Sequence, residues 1–121
     1  MNNYPTTKPI LVIDDEASLL MLLKRILSRN GYAVDTAMNG EEGIQKITNN
    51  EYSLILTDIK MSGISGDQIF DYLRNKIKKS TPIVGMSGTP WLLDQIGFDA
   101  VLPKPYDMKE LLDCISQFAE K

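Results

Sequence analysis

The sequence predicts an α/β protein, a βα unit repeated five times into a doubly wound parallel sheet with a shortened fourth helix. Three observations carry this. Short aliphatic runs alternate with stretches of helical period along the chain. Most of those runs are solidly apolar, which fits strands buried on both faces beneath helices. Four of the five runs end on an acid, a hydroxyl or a lysine, so polar chemistry is concentrated at strand ends.

Each element has its own signal. Ile10 to Ile13 (ILVI) is the first strand, ending in Asp14-Asp15-Glu16. Leu19, Leu20, Leu23, Ile26 and Leu27 then recur at helical spacing until Gly31 stops the helix as a C-terminal cap. Ala33 to Ala37 mixes apolar and polar residues, which places this second strand at a sheet edge. Asn39 with Glu42 reads as a capping box before the Ile44 and Ile47 helix. Leu54 to Leu56 is the third strand, ending at Thr57-Asp58. The Ser62 to Gly66 loop leads to a helix carrying Ile69, Phe70, Leu73 and Ile77. Pro82 to Met86 is the fourth strand, ending at Ser87-Gly88. Pro90 suits a first helical turn, and Trp91 to Ile96 has room for only a turn or two, with Trp91 covering the core there. Ala100 to Leu102 is the fifth strand, running into Pro103-Lys104-Pro105. A second capping box, Asp107 with Glu110, opens a last helix that turns Met108, Leu111, Leu112, Ile115 and Phe118 inward.

Composition bounds what such a sheet can do. The chain has 121 residues, 43% hydrophobic and 24% charged, with a net charge of −3. That is enough chain for one self-sufficient core, and it lacks the basic excess of a direct nucleic-acid binder. A single cysteine, Cys114, excludes an intrachain disulfide; it reads as a partly buried, inert thiol. The absence of histidine excludes His-metal sites and His-dependent hydrolysis. Arg74, Lys76, Lys78 and Lys79 complement a helix C-terminus. Met1 to Pro9 is polar with no apolar core of a signal peptide, and no aliphatic run is long enough to span a bilayer. The expectation is one cytoplasmic domain over residues 1–121, with residues 1–8 as a flexible leader and no membrane partner.

Ligands bind outside the carboxyl ends of strands in open α/β sheets. Asp14, Asp15, Asp58, Ser87 and Lys104 all fall there. Asp14-Asp15-Glu16 alone would suit a helix N-terminus, but Asp58 and Lys104 at matching strand ends turn it into part of a constellation. Two carboxylates ~4 Å apart repel by about 4 kcal/mol at an effective dielectric of ~20, so such a cluster raises a pKa or recruits a cation. Oxygen ligands alone select a hard cation, and Mg²⁺ fits best because it leaves a position for a phosphate oxygen. Lys104 would balance charge and hold a phosphoryl group, Ser87 would donate to it, and Gly88 would let it approach the backbone. The pattern suits placing a phosphoryl group on a carboxylate.

The ordered set Asp14-Asp15, Asp58, Ser87 and Lys104-Pro105 resembles the receiver domain of two-component response regulators, from about Lys8 to Phe118. The stretch from Asp58 to Gly66 is similar to that family's loop after the phosphoacceptor. The resemblance implies the flavodoxin-like strand order 2-1-3-4-5. It implies that Asp58 accepts a phosphoryl group from the phosphohistidine of a sensor histidine kinase or phosphotransfer protein. Asp15, Asp58 and the Lys60 carbonyl would ligate Mg²⁺ directly, and Asp14 through water. Lys104 would contact the phosphoryl oxygen across a cis Lys104-Pro105 bond, and Ser87 would be the switch hydroxyl. Such a domain is no conventional enzyme but catalyses its own phosphorylation and dephosphorylation, then biases a partner or output domain. A homodimer is left open.

Three positions depart from that family. Ser62 stands where a proline is usual. Val101 replaces the aromatic residue three positions before the lysine, so a relay from Ser87 to an aromatic ring cannot run in its usual form. The interval from Ser87 to Gly97 is short by roughly a helical turn. The alternative reading is a receiver-like interaction module that is not phosphorylated. A phosphatase of the haloacid-dehalogenase type would need Asp-x-Asp after the first strand, where this chain has Asp14-Asp15-Glu16. A flavin carrier would need a loop of hydroxyls and glycine in place of these acids.

Overall fold

The computed structural model describes residues 7–93 and 95–121; residues 1–6, which hold most of the expected leader, and Asp94 lie outside the described residues. In chain order the elements are β1 (Ile10–Ile13), α1 (Ala17–Arg29), β2 (Val34–Ala37), α2 (Gly40–Asn49), β3 (Leu54–Asp58), α3 (Gly66–Asp71), β4 (Ile83–Ser87), β5 (Ala100–Pro103) and α4 (Met108–Ser116). The strands form one sheet in the order β2-β1-β3-β4-β5, with every pairing parallel.

Pleating divides the strand side chains between two apolar layers. Ile10, Val12, Leu54, Leu56, Val84 and Met86 face α1 and α4. Leu11, Ile13, Ile55 and Ile83 face α2 and α3. The aliphatic runs of β1, β3 and β4 are therefore buried along their whole length. β2 is only half-buried until Ala37, as its edge position requires. Tyr52 and Lys46 tie it down: the Tyr52 hydroxyl donates to Asp35 Oδ2 (2.7 Å), and Lys46 Nζ donates to Asp35 Oδ1 (3.0 Å) and the Thr36 carbonyl (2.6 Å).

Helix ends follow their chemistry. Gly31 takes φ +92° just after the Asn30 C-cap, and the Tyr32 and Gly31 N–H groups donate to the Leu27 and Ser28 carbonyls, a Schellman closure of α1. Asn39 and Asp107 accept from the Glu42 and Glu110 N–H groups at 2.8 Å each. A full capping box also forms at Ser65 and Gln68, within the stretch read from sequence as loop leading into helix. The third helix does not stay α-helical to Ile77. It widens into a π-helical turn over Tyr72–Lys76, closed by the Ile77 N–H on the Tyr72 carbonyl at 3.0 Å.

The fourth crossover is shorter still than its stunted expectation, a single 3₁₀ turn over Pro90–Leu93. Trp91 does not cover the core there; it is 65% exposed, and Leu93 is the residue that turns inward. A four-residue turn presents one inward position, and Leu93 takes it.

α3 starts hard against the end of β3. A Cβ at Gly66 would lie 2.7 Å from the Asp58 carbonyl oxygen and 2.9 Å from Ile59 Cα, both backbone atoms that cannot rotate away. Gly66→Ala is expected to destabilise the fold by about 1–3 kcal/mol, seen as a lower urea midpoint at an unchanged slope. A midpoint equal to that of the unmodified chain would mean that this junction opens freely.

Candidate functional site

Strand register brings the predicted residues to one rim. Ile13 pairs with Thr57, so Asp14 and Asp58 follow one another on adjacent strands. Asp58 pairs with Met86, which puts Ser87 one residue further along. Ser87 pairs with Pro103, and the Lys104 N–H donates to the Ser87 carbonyl at 2.8 Å, continuing the ladder to the lysine. The Lys104-Pro105 peptide is cis.

The geometry at that rim is close. Asp14, Asp15 and Asp58 each offer a carboxylate oxygen, all within 4.8 Å of one another. Lys104 Nζ donates to Asp58 Oδ1 at 3.0 Å. Asp14 is buried; its Oδ1 accepts from the Glu16 N–H at 2.9 Å, and its Oδ2 is the one buried side-chain oxygen among the described residues without a hydrogen-bond partner. Asp15 is exposed and accepts from the Ser62 N–H at 3.2 Å. Ser87 is buried; its Oγ accepts from the Thr89 N–H at 3.0 Å and lies 3.3 Å from Thr89 Oγ1. Lys60, expected to act through its carbonyl, lines a cleft of about 210 Å³ together with Asp58, Ser87, Gly88, Thr89 and Lys104.

Charge sets the behaviour of the group. Burial pushes the Asp14 carboxyl above the ordinary carboxylate range; the Glu16 N–H works against this, and the neighbouring Asp58 charge adds to it. Burial, then Asp14 and Asp58, push the Tyr106 hydroxyl upward as well; it sits 3.7 Å from Met86 Sδ. An all-oxygen donor set with one buried oxygen unpaired fits a hard divalent cation such as Mg²⁺.

A family-level comparison matches residues 10–116 to the response regulator receiver domain. The chain belongs to the response regulator receiver domain family. It is 36% identical over 108 residues to the transcriptional regulatory protein ResD of Bacillus subtilis, covering 85% of this chain and 44% of ResD. It is 32% identical over 108 residues to the response regulator ArlR of Staphylococcus aureus, covering 85% of this chain and 48% of ArlR. The matched region thus spans under half the length of these curated relatives. Among solved structures it resembles the response regulator TrrA of Thermotoga maritima in complex with Mg²⁺–BeF, at 35% identity and a TM-score of 0.82, covering 91% of this chain and 97% of TrrA.

The receiver domain holds site neighbours that its sequence did not announce. Tyr106 follows Lys104-Pro105 directly, so the turn that aims the lysine also carries the phenol; that adjacency was the available signal. The Glu16 and Ser62 contacts come from backbone N–H groups, which no side-chain pattern marks.

An Asp14 carboxyl raised in the folded state opposes folding once it is ionised, so the metal-free domain loses stability as pH rises through that raised range. Asp14→Asn removes the charge. It is expected to raise the thermal midpoint in EDTA by roughly 4 °C, the shift about 1 kcal/mol gives in a domain of this size. A midpoint that falls would show that the ionised carboxyl is stabilising.

Proposed function

We propose that this receiver domain takes a phosphoryl group onto Asp58 from the phosphohistidine of a sensor histidine kinase or phosphotransfer protein. The observation that carries this is Lys104 Nζ at 3.0 Å from Asp58 Oδ1, on a rim where three carboxylates converge within 4.8 Å. The similarity to TrrA, solved with Mg²⁺–BeF, supports it.

The chemistry follows from the groups present. An Asp58 oxygen forms the new bond to phosphorus, the phosphorus–nitrogen bond of the phosphohistidine breaks, and its electron pair leaves with the imidazole. Asp15, Asp58 and the Lys60 carbonyl, with Asp14 through water, would hold Mg²⁺, which would supply the positive charge that lets an anionic donor approach. Lys104 exchanges its Asp58 oxygen for a phosphoryl oxygen. Ser87 turns its hydroxyl proton to another, and this pairing biases the domain between two states. Water attack on the same phosphorus reverses the modification, so the domain catalyses both its own phosphorylation and its dephosphorylation. The partners and the cytoplasmic setting follow from the same reading.

Asp58→Asn is expected to abolish acid-labile phosphate incorporation from acetyl phosphate or a kinase, by at least a hundredfold. Incorporation at the normal level would refute the assignment, and failure of the unmodified domain to take up beryllofluoride with Mg²⁺ would favour a non-phosphorylated interaction module. Lys104→Ala is expected to keep Mg²⁺ binding while losing the phosphorylation-dependent chemical shift changes. An unchanged shift pattern would show that the switch does not use the lysine.

A further inference from the structure

The three carboxylates are held in different ways. Asp14 is fixed by burial and by the Glu16 N–H from its own loop. Asp58 is fixed by Lys104. Asp15 is exposed and has neither support. Its hydrogen bond comes from the Ser62 N–H, a donor 47 residues away on the loop after β3, on its Oδ2 at 3.2 Å.

We infer that the Ser62 backbone N–H is a positioning donor for Asp15 and thereby sets the domain's affinity for Mg²⁺. The inference rests on the reading above that Asp15 is a metal ligand. An exposed carboxylate turns freely about its side-chain torsions, and binding an ion must freeze them. The N–H holds one oxygen in advance and leaves Oδ1 free for the ion. Outer hydrogen bonds of this kind to a ligating group are worth about 10–100-fold in metal affinity. A donor on an exposed loop at 3.2 Å belongs at the lower end of that range. The active part is the main-chain N–H, so the serine hydroxyl is dispensable, whereas a proline at this position would carry no donor at all. Linkage makes the effect reciprocal: an ion that favours the held Asp15 also steadies the Ser62 loop.

The test is Mg²⁺ titration of the full chain by calorimetry with no phosphoryl donor present. Ser62→Pro is expected to weaken Mg²⁺ binding by about tenfold, while Ser62→Ala, which keeps the N–H, stays within about twofold of the unmodified chain. The metal-free thermal midpoints of the two variants should agree, which separates positioning from folding. Equal affinity in Ser62→Pro and the unmodified chain would overturn the inference and leave the metal site standing, and so would equal weakening by both substitutions. No Mg²⁺ binding by the unmodified chain would overturn the site reading itself. Should Ser62→Pro fail to fold, amide exchange of Ser62 in the metal-free chain decides instead. Exchange should quicken several-fold in Asp15→Ala, and an unchanged rate would sink the proposal.

Discussion

Three carboxylates share this rim with the Lys104 ammonium, and the arrangement survives only because the sheet holds it. At 4.8 Å a pair of like charges repels by about 3–4 kcal/mol at an effective dielectric of ~20. A flexible loop would relieve that by moving apart. Here Asp14 and Asp58 follow paired residues on adjacent strands whose apolar side chains are fully buried. Separating the charges would mean slipping a register that both apolar layers specify. The fold therefore stores an unmet demand for positive charge, visible in the raised Asp14 carboxyl and its unpaired oxygen. A cation meets that demand without the backbone having to rearrange.

Much of this was legible in the chain. Solid runs such as Ile10–Ile13 announced central strands, and the polar Asp35 and Thr36 within Ala33–Ala37 announced the edge. Because parallel strands all finish on the same side, Asp14, Asp15, Asp58, Ser87 and Lys104 could be assembled without coordinates. Other features left no imprint. A backbone N–H exists at every residue but proline, so the donors at Glu16 and Ser62 have no compositional signature. The π-helical turn over Tyr72–Lys76 has nearly the same apolar recurrence as an α-helix, and periodicity does not tell them apart. Trp91 is exposed against expectation because hydrophobicity argues for burial only where an element exists to carry the side chain inward.

The fourth crossover is short, a 3₁₀ turn over Pro90–Leu93. Val101 is half-buried on β5 and paired with Gly85. Ser87 has its close contacts with Thr89, two residues on. The close contacts of the hydroxyl therefore lie on the segment that enters the 3₁₀ turn, rather than on the outer face of β5.

That turn has an optical corollary. Trp91 is the sole tryptophan of the chain, it stands two residues past Thr89, and its indole faces water. The tryptophan fluorescence of the molecule thus originates from one solvated ring, two residues past Thr89. Emission should lie at long wavelength, open to collisional quenchers, and strain in the Ser87–Thr89 segment would register there without any attached dye.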